Sequence, residues 1–209
     1  MAHGFASALD LPQTPALGAL ERAHAACDEE LMARFRDSAQ DADFNELARR
    51  YSTRSYRLAL GMLGCPTAAE DAVQECFLHV LRSRARYQPG MPFAQWLFTI
   101  LRNICRDECR SRAPRPGDPL AERGCGRDPQ AALEAQEEFG LATQALARLS
   151  TDEREALTLR IYGGLDFAAI AQACRVSPDV AKKRVYRALE RLRRELTIIS
   201  SYGSKESIR

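Results

Sequence analysis

From Asp28 to Leu196, apolar residues recur every three or four positions almost without a break, and nowhere do valines and isoleucines alternate with polar residues. A period of 3.6 buries one face of a helix, whereas a half-buried strand needs a period of two. The pattern predicts an all-α fold. Leu31, Met32 and Phe35 mark a first helix, and Leu47, Tyr51, Ser55, Leu58 and Met62 a long second one that Gly64, Cys65 and Pro66 end. Thr67 and Glu70 read as a capping box at the head of a third helix with Ala69, Val73, Cys76, Phe77, Val80 and Leu81 inward. Gln88, Pro89 and Gly90 then break the chain before a helix beginning at Phe93.

Between Ala113 and Gln130 stand four prolines and three glycines with almost no large apolar residue. Such a stretch cannot bury enough surface to fold, so it predicts a linker over 113–131 between a helical domain at 28–112 and a second at 132–197. Residues 1–27, rich in Ala, Pro and small polar side chains, predict a mobile extension with a short helix around Ala16 to Ala26, and 198–209 a tail. The 209 residues leave room for two small cores.

Composition removes several classes of function. The net charge of +2 excludes a polycation, but Arg175 to Glu195 holds eight basic residues against Asp179, Glu190 and Glu195. Such local asymmetry is the footprint of a nucleic-acid-binding module. The seven cysteines are odd in number and form no C-x-x-C pair, so neither a disulfide framework nor a zinc ribbon is indicated, and a reducing cytoplasm is the expected home. The N-terminus lacks the basic start and long apolar run of a signal peptide, and no stretch approaches the roughly 18 apolar residues of a membrane span, so no membrane insertion is expected. The histidines are His3, His24 and His79, and no phosphate-cradling glycine loop or metal-ligand cluster occurs. No catalytic residue, cofactor or metal is expected, and the chain does not read as an enzyme.

The basic end has a recognisable layout. Asp166 to Cys174 reads as a short helix with Phe167, Ile170 and Ala171 inward; Arg175, Val176 and Ser177 make a tight connection; Ser177 is placed as an N-cap and Pro178 as the first helical residue. This is a helix-turn-helix. In its second helix Ala181, Val185, Ala188, Leu189, Leu192 and Leu196 form the core stripe. The first turns of such a helix enter the major groove, which makes Lys182, Lys183, Tyr186 and Arg187 base-proximal candidates and leaves Arg191 and Arg194 for phosphates. A three-helix core with a merely solvated basic face would show the same pattern.

The Phe93 to Arg112 helix also carries two faces. Phe93, Trp96, Leu97, Ile100, Leu101 and Ile104 make the expected core side; Gln95, Thr99, Arg102, Asn103, Arg106 and Arg110 make a cationic ridge opposite. Such a ridge can lie on a phosphate backbone, and the rings of Tyr87, Phe93 and Phe98 are expected to offer surfaces on which an unpaired base could stack. An ordinary amphipathic helix would look alike. In the third helix Asp71, Gln74, Glu75 and Leu78 sit at i, i+3, i+4 and i+7, an acidic outer face with a leucine in it, a plausible dock for a basic partner helix.

Three blocks in this order resemble the sigma-70 family of bacterial RNA polymerase sigma factors, in the two-domain extracytoplasmic-function (ECF) type. AAEDAVQECF (Ala68 to Phe77) resembles the core-polymerase-binding helix, FAQWLFTILRNICRD (Phe93 to Asp107) the promoter-opening helix, and Leu149 to Leu196 the minus-35-reading domain. The resemblance implies an alternative sigma factor with core RNA polymerase, promoter DNA and an anti-sigma factor as partners. It places polymerase docking on Asp71, Gln74, Glu75 and Leu78, minus-ten contacts on Tyr87, Gln88, Phe98, Arg102, Asn103, Arg106 and Arg110, and minus-35 contacts on Lys182, Lys183, Tyr186, Arg187, Arg191 and Arg194. The chain departs from the family at Asp179, Val180 and Lys183, where Gly, Thr and Ser are usual, and at Ala169, where Glu is usual. Those differences bear on promoter sequence, not on fold. Two other readings stay open: a free-standing helix-turn-helix regulator, and a thiol sensor using Cys105 and Cys109.

Overall fold

The computed structural model describes residues 26–39, 41–111 and 143–206. They form α1 (Asp28–Ser38), α2 (Asp41–Leu63), α3 (Pro66–Ser83), a 3-10 turn (Arg84–Arg86), α4 (Phe93–Ser111), α5 (Thr151–Ile161), α6 (Phe167–Cys174) and α7 (Pro178–Glu206), with a short helical stretch at 143–147 and no strand among them. The expected linker, most of the N-terminal extension and the expected helix start near Ala132 lie outside the described residues.

The first helix begins on an unusual cap. Cys27 Sγ accepts the Glu30 N–H at 3.4 Å while the Glu30 carboxylate accepts the Cys27 N–H at 3.2 Å, a reciprocal pair that satisfies two end donors. Leu31, Met32 and Phe35 are buried. One turn earlier Asp28 accepts from Arg50 at 2.7 Å and from the Tyr51 hydroxyl at 2.5 Å, tying α1 to α2. Glu29 accepts the Phe93 N–H at 3.1 Å, so α1 also caps α4. The helix meant to carry the minus-ten ridge is thus fixed at its N-terminus by a carboxylate from far upstream.

Two local expectations need correction. Thr67 and Glu70 form no capping box: α3 starts at Pro66, its cap residue Cys65 makes no side-chain cap bond, and Thr67 Oγ1 lies 3.2 Å from Cys65 Sγ. With Pro66 as the first helical residue the cap position falls on Cys65, two residues before Thr67, so Thr67 lies inside the first turn and cannot cap it. At the other end of the chain α7 runs on to Glu206, so residues 198–206 are helical rather than a tail.

In the second domain Ser150 and Glu153 form a capping box for α5, and Asp166 caps α6 by accepting the Ala169 N–H at 2.7 Å. Arg175 takes the left-handed conformation (φ 57°) that ends α6, and Ser177 Oγ accepts the Val180 N–H at 3.3 Å to start α7. Ala181, Val185 and Ala188 are buried as expected, but Leu189 is 43% exposed and lies outside the core. The helix meets its neighbours along a narrower stripe than the apolar residues alone suggest.

One apolar cluster runs through both domains. Its seam is polar at several points. Arg54, stacked over the Tyr51 and Phe98 rings, donates to the carbonyls of Tyr162 at 3.0 Å and Gly163 at 2.6 Å. Arg154 donates to the Met62 carbonyl at 3.1 Å, and burial pulls its guanidinium below its usual range. Gly61, inside α2, has a sequence cost of about 0.5–1 kcal/mol against alanine in a helix. Its reason is close approach: a β-carbon there would stand 2.9 Å from Thr158 Cγ2 and 3.3 Å from Leu146 Cδ1.

Candidate nucleic-acid interface

The first turns of α7 present Lys182, Lys183, Tyr186 and Arg187 to solvent, with Tyr186 57% exposed. The Tyr186 ring lies 6.2 Å from Phe167, over which the Arg160 guanidinium stacks at 5.1 Å. That stack from α5 through α6 fixes the direction of the tyrosine. Sequence periodicity missed Arg160, whose role depends on a ring on another helix. Further along, Arg191 pairs with Glu153 at 3.0 Å and Arg194 with Glu190, both on the outside. The exposed Arg194–Glu190 pair holds weakly, worth roughly 0–1 kcal/mol, and can exchange for phosphate, whereas the partner of Arg191, Glu153, is buried. Half-buried Arg184 instead anchors α7 to α5 through Asp152 at 2.5 Å.

The α4 face differs from expectation. Phe93, Leu97, Phe98, Leu101, Arg102 and Cys105 are buried, while Trp96, Ile100 and Ile104 are only partly so. The buried stripe is rotated toward the ridge because that flank also meets the second domain. Tyr87 is 2% exposed, and its ring packs on Trp96 at 5.2 Å while its hydroxyl donates to the Met91 carbonyl. Phe93 and Phe98 sit against Tyr51 at 5.0 and 5.8 Å. These three rings are core, not surfaces for stacking a base, since all three are buried.

The ridge itself is divided. Asn103 and Arg110 are exposed, as is Gln88 in the preceding loop. Arg102, 5% exposed, directs Nε and a terminal nitrogen at Glu155 Oε2, at 3.0 and 2.6 Å, and Arg106 reaches the same carboxylate at 3.1 Å. Gln95 donates to Gln172 at 2.5 Å. Sequence reasoning did not single out Glu155, which stands 53 residues from Arg102.

On α3, Asp71, Gln74, Glu75 and Leu78 are all exposed along one line, and Leu78 is 42% accessible in a helix whose other large apolar side chains turn inward. Glu75 lies 3.7 Å from Arg82. The thiols point to packing. Burial pushes Cys76 up to about 12 and raises Cys105 and Cys174 as well, which leaves these sulfurs protonated and unreactive. Among the described residues no three His, Cys, Asp or Glu side chains could hold a metal ion, and no helix is long and apolar enough to cross a membrane.

Two family models match: Sigma-70 region 2 over residues 47–115 and Sigma-70 region 4 over residues 139–192. The RNA polymerase sigma factor CarQ of Myxococcus xanthus is 38% identical over 165 residues, covering 78% of this chain and 93% of that protein. The chain belongs to the sigma-70 family. The ECF RNA polymerase sigma factor EcfG of Rhodopseudomonas palustris is 32% identical over 78% of this chain and 90% of its own length, which places the chain in the ECF branch. Among solved structures, the sigma factor RpoE in complex with the anti-sigma factor NepR from Bartonella quintana superposes with a TM-score of 0.59 at 27% identity over 75% of this chain and 98% of that one. CnrH in complex with the cytosolic domain of CnrY reaches 0.65 at 23% identity over 82% and 97%, and shares the fold. This ECF protein is an alternative sigma factor: a non-enzymatic initiation factor that works with core RNA polymerase at promoters.

Proposed function

We propose that three separate surfaces divide the work of this sigma factor. The outer face of α3, with Asp71, Gln74, Glu75 and Leu78, docks core RNA polymerase. The ridge of α4, with Arg102, Asn103, Arg106 and Arg110, and Gln88 before it, takes the minus-ten strand as the promoter opens. The first turns of α7, with Lys182, Lys183, Tyr186 and Arg187, meet base edges of the minus-35 element, while Arg191 and Arg194 meet phosphates. The first domain corresponds to residues 28–112 and the second to 132–197, joined by the proline- and glycine-rich stretch at 113–131. Work on chromosomal DNA with polymerase implies a cytoplasmic location. An anti-sigma factor is a third partner, supported by the sigma factor RpoE of Bartonella quintana, solved in complex with the anti-sigma factor NepR.

The observation that carries this reading is the exposed acidic line on α3 with Leu78 at its end. An apolar side chain left in solvent beside carboxylates fits a partner helix with basic and apolar groups. Replacing Asp71 and Glu75 by Lys should weaken binding to core polymerase by about tenfold or more at matched salt, with helicity unchanged, since a reversed charge at an interface costs several kcal/mol. Wild-type affinity in the double variant would remove the dock from this face.

A further inference from the structure

We propose that Asp179 is a specificity-determining residue of this sigma factor, its carboxylate accepting the N4 amino group of one cytosine in the minus-35 element. The proposal deepens the reading of α7 given above and rests on it. Asp179 is exposed in the first turn of α7, and Lys183 and Tyr186 follow it at i+4 and i+7, both exposed. That spacing puts the three on one line of the helix, opposite Ala181, Val185 and Ala188, which are buried. The line has a fixed member, because Tyr186 packs on Phe167 at 6.2 Å. A docking that brings Lys183 and Tyr186 to base edges therefore brings Asp179 there too.

Nothing inside the chain accounts for this carboxylate. The helix start is already capped, since Ser177 Oγ accepts the Val180 N–H at 3.3 Å. The i, i+4 spacing to Lys183 would allow an ion pair, yet among the described residues neither Asp179 nor Lys183 has a hydrogen-bond or ion-pair partner. Asp152 and Glu153 on α5 differ in this respect, for they hold Arg184 and Arg191. The helix dipole favours an acid at this end but gives it no direction. From Pro178 to Arg187, Asp179 is the single acid among Lys182, Lys183, Arg184 and Arg187.

A carboxylate on the side of a helix that meets DNA is repelled by phosphates and by every base edge that offers an acceptor. In the major groove guanine shows N7 and O6, thymine O4 and a methyl group, and adenine an acceptor N7 beside its amino group; cytosine alone shows a donor without an acceptor next to it. Asp179 thus selects cytosine both by attraction and by repelling the other three bases. Lys183, one turn on, is the matching donor for acceptor edges, so the two residues divide the element by the sign of their charge.

The test uses the holoenzyme, with selection from DNA randomised across the minus-35 element and fluorescence anisotropy on the recovered site. Wild type should fix one position as cytosine, and replacing that pair by T·A should lower its affinity about tenfold. Asp179→Ala should respond to the same replacement by less than about twofold and bind the altered site more tightly than wild type does. Asp179→Asn keeps the shape but gains a donor, and should move the preference at that position to adenine, whose N6 and N7 an asparagine matches. Both variants should keep wild-type helicity; should Asp179→Ala unfold the helix start, Asp179→Asn decides alone. If the wild-type site has no position fixed as cytosine, or both variants keep that cytosine, Asp179 is a helix-end charge and the proposal falls, while the sequence that is enriched leaves the reading of α7 standing. A wild-type holoenzyme that enriches no minus-35 sequence overturns that reading and the proposal with it.

Discussion

Single side chains change meaning according to what lies against them. Tyr87 stands beside a proline-glycine loop and looks available, yet its ring is packed on Trp96 and its hydroxyl is bonded to the Met91 carbonyl. Removing a buried aromatic ring costs about 3–5 kcal/mol, and removing one hydrogen bond about 1 kcal/mol. Tyr87→Ala should therefore lower the unfolding free energy by about 3 kcal/mol or more in a urea titration, and Tyr87→Phe by about 1 kcal/mol. A loss under about 0.5 kcal/mol for Tyr87→Ala would mean a surface ring. Cys76 gives a second residue-level outcome. Its folded thiol is pushed up to about 12 by burial, against about 8.5 in an unfolded chain. A raised value means that stability is fully present below about pH 8.5 and is lost as pH rises toward 12, at up to roughly 1.4 kcal/mol per pH unit for this thiol. Urea midpoints between pH 8 and 11 should fall accordingly, and Cys76→Ala should fall less steeply. Equal slopes would mean that Cys76 is accessible in the folded chain.

At the scale of elements, α6 and α7 were legible because capping chemistry and periodicity agree: Asp166, Ser177 and Pro178 mark the starts, and the charged side of α7 faces water. The α3 face was legible from periodicity alone, since its expected Thr67–Glu70 cap is not formed. The ridge of α4 was only half legible. A helical wheel separates apolar from polar but cannot distinguish a polar flank that faces solvent from one that faces another domain, and Arg102 finds its partner 53 residues away. Leu189 failed in the opposite sense, since an apolar residue at core spacing is left outside where α7 has no neighbour to cover it. The exposed start of α7 leads to a direct expectation. A bidentate contact to a base discriminates by about 1–3 kcal/mol, whereas loss of a phosphate contact lowers affinity for every sequence. In selections from randomised minus-35 DNA with the holoenzyme, Lys183→Ser should change the recovered sequence and Arg194→Ala should weaken all sequences alike. An unchanged sequence with lower affinity would make Lys183 a phosphate contact.

For the whole molecule, the expected pair of helical domains is present, but their cores meet in one apolar cluster whose seam is held by Arg54, Arg102, Arg106 and Arg154. Periodicity reports what each helix buries, not which distant helix it buries against, so the seam left only one mark in the sequence, the glycine at position 61 inside a helix. The seam gives the chain a reason to hold its α3 and α7 surfaces outward while the ridge of α4 is engaged internally. The most direct measurement is run-off transcription from genomic DNA with core polymerase, wild-type chain and the Asp71→Lys, Glu75→Lys double variant. The wild-type chain should produce discrete transcripts that core polymerase alone does not make, with two shared sequence elements upstream of their starts, and the double variant should produce few or none. No new start sites with the wild-type chain, or an undiminished set with the double variant, would contradict the account.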